Sequence, residues 1–334
     1  MRVNYTLSMA IVFYEYLFMI YKNTGENYVK DVLHENLKTH FDIDNYSIFL
    51  KREIQKQKVK KTTMLKFESI VDGDNFSIPA MLYEPEKADQ NITLYFHGGG
   101  WVRGSIESHD CLCRKIANTL NIRILSVEYR LAPWYRFPTA LNDALSVYCG
   151  LFNNNDVTFE KVIIAGDSSG GNLSASLCIK LREKGFSKLP ISQILFYPVL
   201  SNDFQSESFQ KFGNEINLTK SMMKWFIYMY TGKEFDDENI KNNKLIYPLL
   251  EEDMSVFPKT LIISAKEDIL LDGQTLFASK LKKAGIETYQ YTVDNTKHGF
   301  LTYGNEHWKF TSTVLEEIKK YELLDSRAAR KGVG

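Results

Sequence analysis

The chain has 334 residues, of which 44% are apolar, 25% charged and 13% aromatic, a balance typical of folded globular proteins. This composition excludes a disordered, collagen-like or fibrous chain. Because 41 Lys and Arg balance 41 Asp and Glu, the formal net charge is zero, and no global field would attract nucleic acid or an anionic membrane.

The first 60 residues are predicted to form a wholly helical segment. Within it, residues 7–21 are apolar and follow Arg2, as in the core of a signal peptide. However, Glu15 interrupts this stretch, no small-residue cleavage site follows it, and it is short for a bilayer span. We therefore predict a soluble amphipathic helix and a cytoplasmic protein. A secretory signal or a membrane anchor in residues 7–21 is the alternative.

A basic run follows this apolar stretch. It consists of Lys51, Arg52, Lys56, Lys58, Lys60 and Lys61. No aromatic residues interleave with these charges, although a surface that stacks nucleic-acid bases would require them. The run therefore indicates a solvated helix face or connector, and we expect no nucleic-acid partner.

The chain has four cysteines, too few for a disulfide framework in a protein of this size. They are Cys111, Cys113, Cys149 and Cys178. The first two lack the C-x-x-C spacing of redox and zinc sites. We predict reduced, structural thiols.

From about residue 65, short apolar runs rich in β-forming residues alternate with longer helical stretches. The predicted strands are residues 92–96, 123–129, 161–165, 193–198, 260–265 and 287–293. The predicted helices carry apolar stripes: Leu173, Leu177 and Leu181 after Ser168; Leu276, Phe277 and Leu281 after Asp272; Trp308, Leu315, Ile318 and Tyr321 from Glu306. This alternation indicates an α/β fold, with a mostly parallel sheet and helices on both faces.

Two segments break this alternation, residues 1–60 and the aromatic-rich residues 201–247. We predict that both lie over the carboxyl ends of the strands, where open α/β sheets bind ligands. The predicted domains are an N-terminal helical cap segment (1–60), a core (65–200 and 248–324), a cap insertion (201–247) and a tail (325–334).

A cluster of three glycines, Gly98, Gly99 and Gly100, follows the strand that ends at Phe96. Successive glycines let backbone N–H groups approach a bound atom closely, as an oxyanion hole requires. A phosphate-binding loop is the alternative, but no Lys-Ser or Lys-Thr pair follows. We predict that these glycines form an oxyanion hole.

A G-x-S-x-G motif centred on Ser168 lies between the strand at 161–165 and an amphipathic helix. A serine on such a tight turn exposes its hydroxyl only if Gly166 and Gly170 carry no side chain that would collide. The helix N-terminus then directs free N–H groups and a partial positive charge to the same place. The alternative is a glycine-rich turn in which the serine merely caps the helix. We predict that Ser168 is a nucleophile.

A nucleophilic serine needs a base, and that base needs an orienting acid. In the α/β-hydrolase chain order, the acid and then the histidine follow the serine. His298 lies in a loop five residues beyond the strand ending at 293, whereas His307 begins the final helical pattern. For the acid, Asp268 lies just past the strand at 260–265, and this position favours it over its rivals Glu267, Asp272 and Asp294.

These motifs together resemble the hormone-sensitive-lipase-like esterases of the α/β-hydrolase fold, and the likeness covers nearly the whole chain. The residues that carry it are Phe96-His97-Gly98-Gly99-Gly100-Trp101, Tyr129-Arg130-Leu131-Ala132-Pro133, Gly166-Asp167-Ser168-Ser169-Gly170-Gly171-Asn172, Asp268 and His298-Gly299-Phe300. The resemblance implies Ser168 as nucleophile, His298 as general acid and base, and Asp268 as orienting acid. It implies an oxyanion hole formed by Gly99, Gly100 and the Ser169 amide, with Gly98 shaping the loop unless its amide also points inward.

The chain departs from this family at two places. The usual Pro-Glu-His-Pro run is replaced by Pro133-Trp134-Tyr135-Arg136, which affects the support expected for the glycine loop. Ser169 stands where alanine is common, as in the plant branch that includes hormone receptors lacking the catalytic histidine. Because His298 is present, we favour an enzyme over a receptor.

From these residues we predict a serine carboxylesterase that works through an acyl-enzyme, with no metal and no organic cofactor. The aromatic insertion favours a hydrophobic acyl or aryl group, and the resemblance implies short to medium acyl chains. The expected partner is a small-molecule ester, and a homodimer is left open. The alternatives are a small-molecule receptor, an amidase or peptidase with the same triad, and a membrane-anchored protein through residues 7–21.

Overall fold

The computed structural model describes residues 59–71, 74–88, 90–153, 159–214, 217–302 and 307–321. The predictions for the N-terminal cap segment, the apolar stretch 7–21, most of the basic run and the tail fall outside these residues. Within the described ranges, no helix is both long and apolar enough to cross a membrane.

The described chain forms one eight-stranded sheet in the order β1-β2-β4-β3-β5-β6-β7-β8. The strands are β1 (Lys61–Val71), β2 (Asp74–Glu84), β3 (Ile92–Phe96), β4 (Arg123–Val127), β5 (Val162–Asp167), β6 (Ser192–Phe196), β7 (Lys259–Glu267) and β8 (Thr288–Lys297). β2 pairs antiparallel with β1 and β4, and all other neighbours are parallel. The predicted α/β class with a mostly parallel sheet is confirmed.

All six predicted strands are present, five of them with shifted ends, whereas β1 and β2 are not predicted. In β1 the buried Leu65 and Phe67 alternate with exposed residues, which is the pattern of an edge hairpin with one solvated face. β8 runs beyond the predicted end at 293, because its pairing with β7 resumes at Lys297 after an irregularity at Asn295, where φ is 55°. This extension brings the chain directly to His298.

The helices connect the strands and cover the sheet. They are α1 (Ile106–Leu120), α2 (Thr139–Leu151), α3 (Ser169–Glu183), α4 (Glu207–Phe212), α5 (Lys220–Thr231), α6 (Glu238–Lys241), α7 (Leu271–Lys283) and α8 (His307–Lys320), with short 3-10 turns at Pro248–Leu250 and Met254–Val256. α4, α5 and α6 all lie within the predicted insertion, residues 201–247.

The predicted apolar stripes are confirmed in α3, where Leu173, Leu177 and Leu181 are fully buried. In α7 the prediction is wrong for Leu276, which is 54% exposed, whereas Phe277 and Leu281 are buried. Adjacent helix positions point about 100° apart, so Leu276 and Phe277 cannot both face the sheet.

Two hydrophobic clusters lie on opposite faces of the sheet. One contains the buried faces of α2, α3 and α7 together with α5 of the insertion. The other contains the buried faces of α1 and α8. The parallel strands between these layers are buried on both faces: all five residues of β3 and all six residues of β5 are buried.

Candidate active site

The chain makes a tight turn between β5 and α3, with Ser168 at its apex. Ser168 has φ 54° and ψ −116°, and α3 begins at the next residue. A Cβ added at Gly166 would lie 2.4 Å from the backbone of Gly170, and one added at Gly170 would lie 1.9 Å from the Phe96 carbonyl oxygen. The two glycines are therefore required by close backbone packing, as the motif predicts.

Backbone hydrogen bonds hold Ser168 in this unfavourable conformation. Its amide donates to the Phe196 carbonyl at 2.8 Å, and its carbonyl accepts from Asn172 at 3.1 Å and Val199 at 3.3 Å. The neighbouring strand and helix thus compensate the backbone strain at the turn. The Ser168 side chain makes no helix-capping hydrogen bond. The capping alternative is therefore not what the geometry shows, and the hydroxyl is left for another partner.

That partner is His298, brought to the turn from the loop after β8. Ser168 Oγ lies 2.8 Å from His298 Nε2, and His298 Nδ1 lies 2.8 Å from Asp268 Oδ2. His298 is 8% exposed and Asp268 is 1% exposed. The second carboxylate oxygen of Asp268 accepts the Leu270 amide at 3.0 Å, and Asn217 Nδ2 donates to the His298 carbonyl at 3.2 Å.

The hydrogen-bond pattern assigns the protons in this chain of residues. An ionised Asp268 can only accept, so the short contact to His298 requires Nδ1 to carry its proton. In the neutral imidazole, Nε2 then has a free lone pair directed at the Ser168 hydroxyl. This arrangement can remove the serine proton as the oxygen attacks an electrophile.

The rival acids and the rival histidine do not share this geometry. Asp272 Oδ2 accepts the Ser208 amide at 2.7 Å, and Glu267 lies 4.0 Å from Lys297 Nζ. Asp294 is exposed, and the side chain of His307 lies outside the described residues. Among the predicted acids, the structure brings only Asp268 to His298.

The glycine loop lies beside Ser168 because β3 pairs directly with β5, with Phe96 opposite Gly166. Gly99 has φ 125° and Gly100 has φ 63°, conformations that favour glycine. In the part of the chain that the structure describes, the amides of Gly99 and Gly100 donate to no backbone carbonyl. These two amides are candidates for binding a substrate oxygen.

The Gly98 amide differs from the other two. It donates to Asp167 Oδ1 at 2.8 Å and so is already occupied. We therefore correct the prediction that includes Gly98 among the oxyanion donors, and Gly98 instead connects the loop to the Ser168 turn. Ser169 starts α3, where the first amides have no partner within the helix, and its amide remains a candidate donor.

A pocket opens over these groups, with a volume of about 460 Å³ counted out to its mouth. Its lining combines the turn, the glycine loop and the insertion: Gly99, Gly100, Trp101, Arg103, Asp167, Ser168, Tyr197, Val199, Asn217, Leu218, Met223, Phe226, His298 and Gly299. The walls are mainly apolar and aromatic, as is usual in small-molecule sites. Across the described ranges, no group of three His, Cys, Asp or Glu side chains could hold a metal ion.

Aromatic contacts join the glycine loop to its surroundings. Trp101 stacks on Tyr230 of α5 at 4.4 Å between ring centroids, and the Ala132 amide donates to the Trp101 carbonyl at 2.9 Å. These contacts support the glycine loop even though Pro133-Trp134-Tyr135-Arg136 replaces the family's usual Pro-Glu-His-Pro sequence. Behind the loop, His97 stacks on Tyr129 at 4.2 Å, and burial lowers the pKa of His97 to about 3.

Sequence reasoning missed several residues of this site. Asp167 was treated only as the variable position of the motif, and Arg103, Tyr197 and Asn217 were not considered. For Asp167 a signal existed, since a carboxylate at the end of a buried strand needs a partner. For the other three, no local pattern indicates the pocket.

Three comparisons place the chain among known proteins. Residues 93–302 match the family model described as the alpha/beta hydrolase fold. An arylesterase of Saccharolobus solfataricus is 30% identical over 261 residues, covering 75% of this chain and 81% of that protein. An ethyl acetate hydrolase of Pseudomonas putida is 30% identical over 244 residues, covering 71% and 76% respectively. An esterase structure from Pyrobaculum calidifontis aligns with a TM-score of 0.71 and 28% identity, covering 84% of this chain and 94% of that one.

Proposed function

The chain belongs to the α/β-hydrolase fold family, which includes the hormone-sensitive-lipase-like esterases, and we propose that it is a serine carboxylesterase with Ser168 as its nucleophile. One observation carries the proposal: Ser168 Oγ, His298 and Asp268 form an unbroken hydrogen-bonded chain at the base of a pocket. The esterase names of the relatives support the same reaction class.

In the first step, Ser168 Oγ attacks the carbonyl carbon of the ester while His298 Nε2 takes the hydroxyl proton. Asp268 keeps Nδ1 protonated and stabilises the imidazolium that forms. Because Asp268 is 1% exposed, little water screens this interaction.

The carbonyl oxygen becomes an oxyanion in the tetrahedral intermediate. We assign its stabilisation to the amides of Gly99, Gly100 and Ser169. Each such donor contributes on the order of 3 kcal/mol when it points at the developing charge. The partial positive charge at the N-terminus of α3 acts on the same atom.

His298 then returns its proton to the leaving alcohol, and the acyl-enzyme forms. A water molecule repeats the cycle and releases the carboxylic acid. The substrate, water and these side chains supply every proton and electron pair in the sequence.

The pocket supports a small, hydrophobic ester as substrate. Val199, Leu218, Met223 and Phe226 form apolar walls next to Ser168. We propose short- to medium-chain acyl or aryl esters, in agreement with the names of the two curated relatives. Best turnover of palmitate in a p-nitrophenyl series from acetate to palmitate would contradict this assignment.

We propose that residues 201–247 act as a cap over the site. α5 provides both Met223 and Phe226 to the pocket wall, and its Tyr230 contacts the glycine loop. A cytoplasmic location is also proposed, because none of the four cysteines forms a disulfide.

Labelling with a fluorophosphonate, followed by peptide mapping, tests whether Ser168 is activated. The expected result is a single adduct on Ser168, lost in Ser168→Ala and kept in Ser176→Ala, which removes a buried hydroxyl of α3 away from the turn. Turnover of p-nitrophenyl acetate should fall by about 10⁶-fold in Ser168→Ala only.

Two other outcomes identify the alternatives. No adduct and no turnover of any activated ester would favour a receptor on this fold. Faster cleavage of an amide than of the matching ester would favour an amidase or peptidase.

A further inference from the structure

A buried carboxylate joins the two loops of the site. Asp167 ends β5, directly before Ser168, and is 1% exposed. Its Oδ1 accepts hydrogen bonds from the Gly98 amide and from the Tyr95 hydroxyl, both at 2.8 Å. Since Gly98 begins the glycine loop, a side chain of the nucleophile turn holds the start of that loop.

His109 contacts the same carboxylate from α1. It is 1% exposed, and its Nε2 lies 3.2 Å from Asp167 Oδ1 and 3.4 Å from Oδ2. The other ring nitrogen lies 2.8 Å from Ser108 Oγ, and Ser108 itself belongs to the capping box that begins α1. Burial by itself would raise the pKa of Asp167, but His109 and Tyr95 outweigh it, and the pKa lies below its usual value. Asp167 is thus an ionised acceptor whose partners come from separate elements.

The contact is close enough to exclude a side chain at position 98. A Cβ added at Gly98 would lie 2.3 Å from Asp167 Oδ2. The loop therefore meets the carboxylate through its backbone alone. Gly99 and Gly100 follow immediately, so the position of the Gly98 amide sets where their amides start.

We propose that Asp167 is a positioning residue, whose carboxylate fixes the Gly98 amide and thereby aligns the amides of Gly99 and Gly100 beside Ser168. This inference rests on the proposed function and adds a role outside the Ser-His-Asp chain. Asp167 acts through the loop, because its Oδ1 is already occupied by loop and strand donors. A displacement of about 1 Å in a group that stabilises the transition state lowers turnover by about 10²-fold.

Asp167→Asn tests the proposal, because it keeps the size of the side chain and removes its charge. Both the Gly98 amide and the Tyr95 hydroxyl donate to Oδ1, so the asparagine carbonyl oxygen takes that position and its NH₂ group lies towards His109. A neutral carbonyl oxygen holds the two donors more weakly than an ionised carboxylate does. The expected result is a fall in kcat of about 10- to 100-fold with p-nitrophenyl acetate, with KM changed by less than about threefold. Affinity for a trifluoromethyl ketone, which forms a tetrahedral oxyanion on Ser168, should fall in parallel with kcat/KM.

Asp143→Asn is the matched control. Asp143 is also a fully buried carboxylate; it accepts the Arg130 amide at 2.9 Å and pairs with the Arg130 guanidinium. The substitution Asp143→Asn makes the same chemical change away from the glycine loop. We expect it to lower the free energy of unfolding and to keep kcat per folded molecule, with the folded fraction measured by circular dichroism.

Unchanged kcat in folded Asp167→Asn would overturn the proposal, and so would a fall in kcat with unchanged ketone affinity. If Asp167→Asn does not fold, Tyr95→Phe replaces it, since it removes one donor to Oδ1 at nearly constant volume. Its expected effect is a fall of about three- to tenfold in both kcat and ketone affinity. No effect there would equally overturn the proposal. If the wild-type protein shows no Ser168-dependent turnover, the proposed function itself is refuted. The role of Asp167 is tested separately, by the differences among these variants.

Discussion

Gly100→Ala should damage catalysis far more than folding, because the added methyl group meets the wall of the pocket. Its Cβ would lie 2.2 Å from Phe226 Cδ1 and 2.4 Å from Cγ and Cε1. Three ring atoms are involved, and Phe226 is only 4% exposed and packs against Trp225 at 5.1 Å. The ring therefore has little space to move, and the loop must shift instead.

The size of the effect follows from this geometry. To reach ordinary contact at 3.4 Å, Gly100 and Phe226 must separate by just over 1 Å. A shift of about 1 Å in an oxyanion donor costs about 10²-fold in kcat. Overpacking adds about 1–3 kcal/mol of instability, and a left-handed alanine adds about 1–2 kcal/mol.

Gly185→Ala separates backbone strain from the clash. Gly185 has φ 65°, nearly the same as the 63° of Gly100, but a Cβ there would meet nothing within 4 Å. We expect this control to lower the free energy of unfolding by about 1–2 kcal/mol and to keep wild-type kcat. Urea unfolding and steady-state hydrolysis of p-nitrophenyl acetate measure the two effects.

Truncation of the ring completes the test. In Gly100→Ala/Phe226→Ala the clash is gone, so kcat should be about tenfold higher than the product of the two single effects predicts. Full activity in Gly100→Ala, or loss of activity in Gly185→Ala equal to that in Gly100→Ala, would refute the reasoning.

Three further changes test the remaining structure. Asp268→Asn should lower kcat by about 10⁴-fold without unfolding the protein, because the amide no longer fixes the His298 tautomer; a loss below tenfold in steady-state assays would contradict this. Burial, reinforced by His109, lowers the pKa of His97 to about 3. As the pH falls below about 6.5, His97 therefore takes up a proton in the unfolded chain but not in the folded one. This difference alone should lower the free energy of unfolding by about 2 kcal/mol at pH 5. His97→Gln should show a shallower loss between pH 7 and pH 5 in urea titrations, and an equal slope would exclude this cause. Gly170→Ala should lose more than about 3 kcal/mol of stability or fail to fold, since its Cβ would lie 1.9 Å from a backbone oxygen; near-native thermal unfolding would contradict the close packing.

Features that depend on neighbours in the sequence were predictable. The glycines around Ser168 are required by contacts within a single turn and with the adjacent strand, so their spacing alone indicates the turn. The strand at 92–96 was predicted with its observed ends, because five consecutive apolar or β-forming residues are buried on both faces. The order of Ser168, Asp268 and His298 along the chain indicated the roles that we propose for them.

Other features depended on packing that no local pattern describes. The exposed Leu276 was assigned to the core because its neighbours in α7 are apolar, and only the orientation of the helix on the sheet decides between adjacent residues. The first two strands form an edge hairpin with one solvated face, so their apolar pattern was weaker than that of the central strands.

The sequence by itself determined the fold class, the turn at Ser168 and a short list of acids and bases, because steric limits and strand or helix periodicity act over a few residues. The sequence favoured Asp268 over Glu267 and Asp272 by its position past the strand, and the tertiary structure placed it 2.8 Å from His298. Only the tertiary structure showed that the Gly98 amide is occupied by Asp167. These choices depend on distances of about 3 Å between groups separated by 30 to 130 residues in the chain. The register of the strands in the folded sheet sets such distances. No single segment of the sequence determines that register.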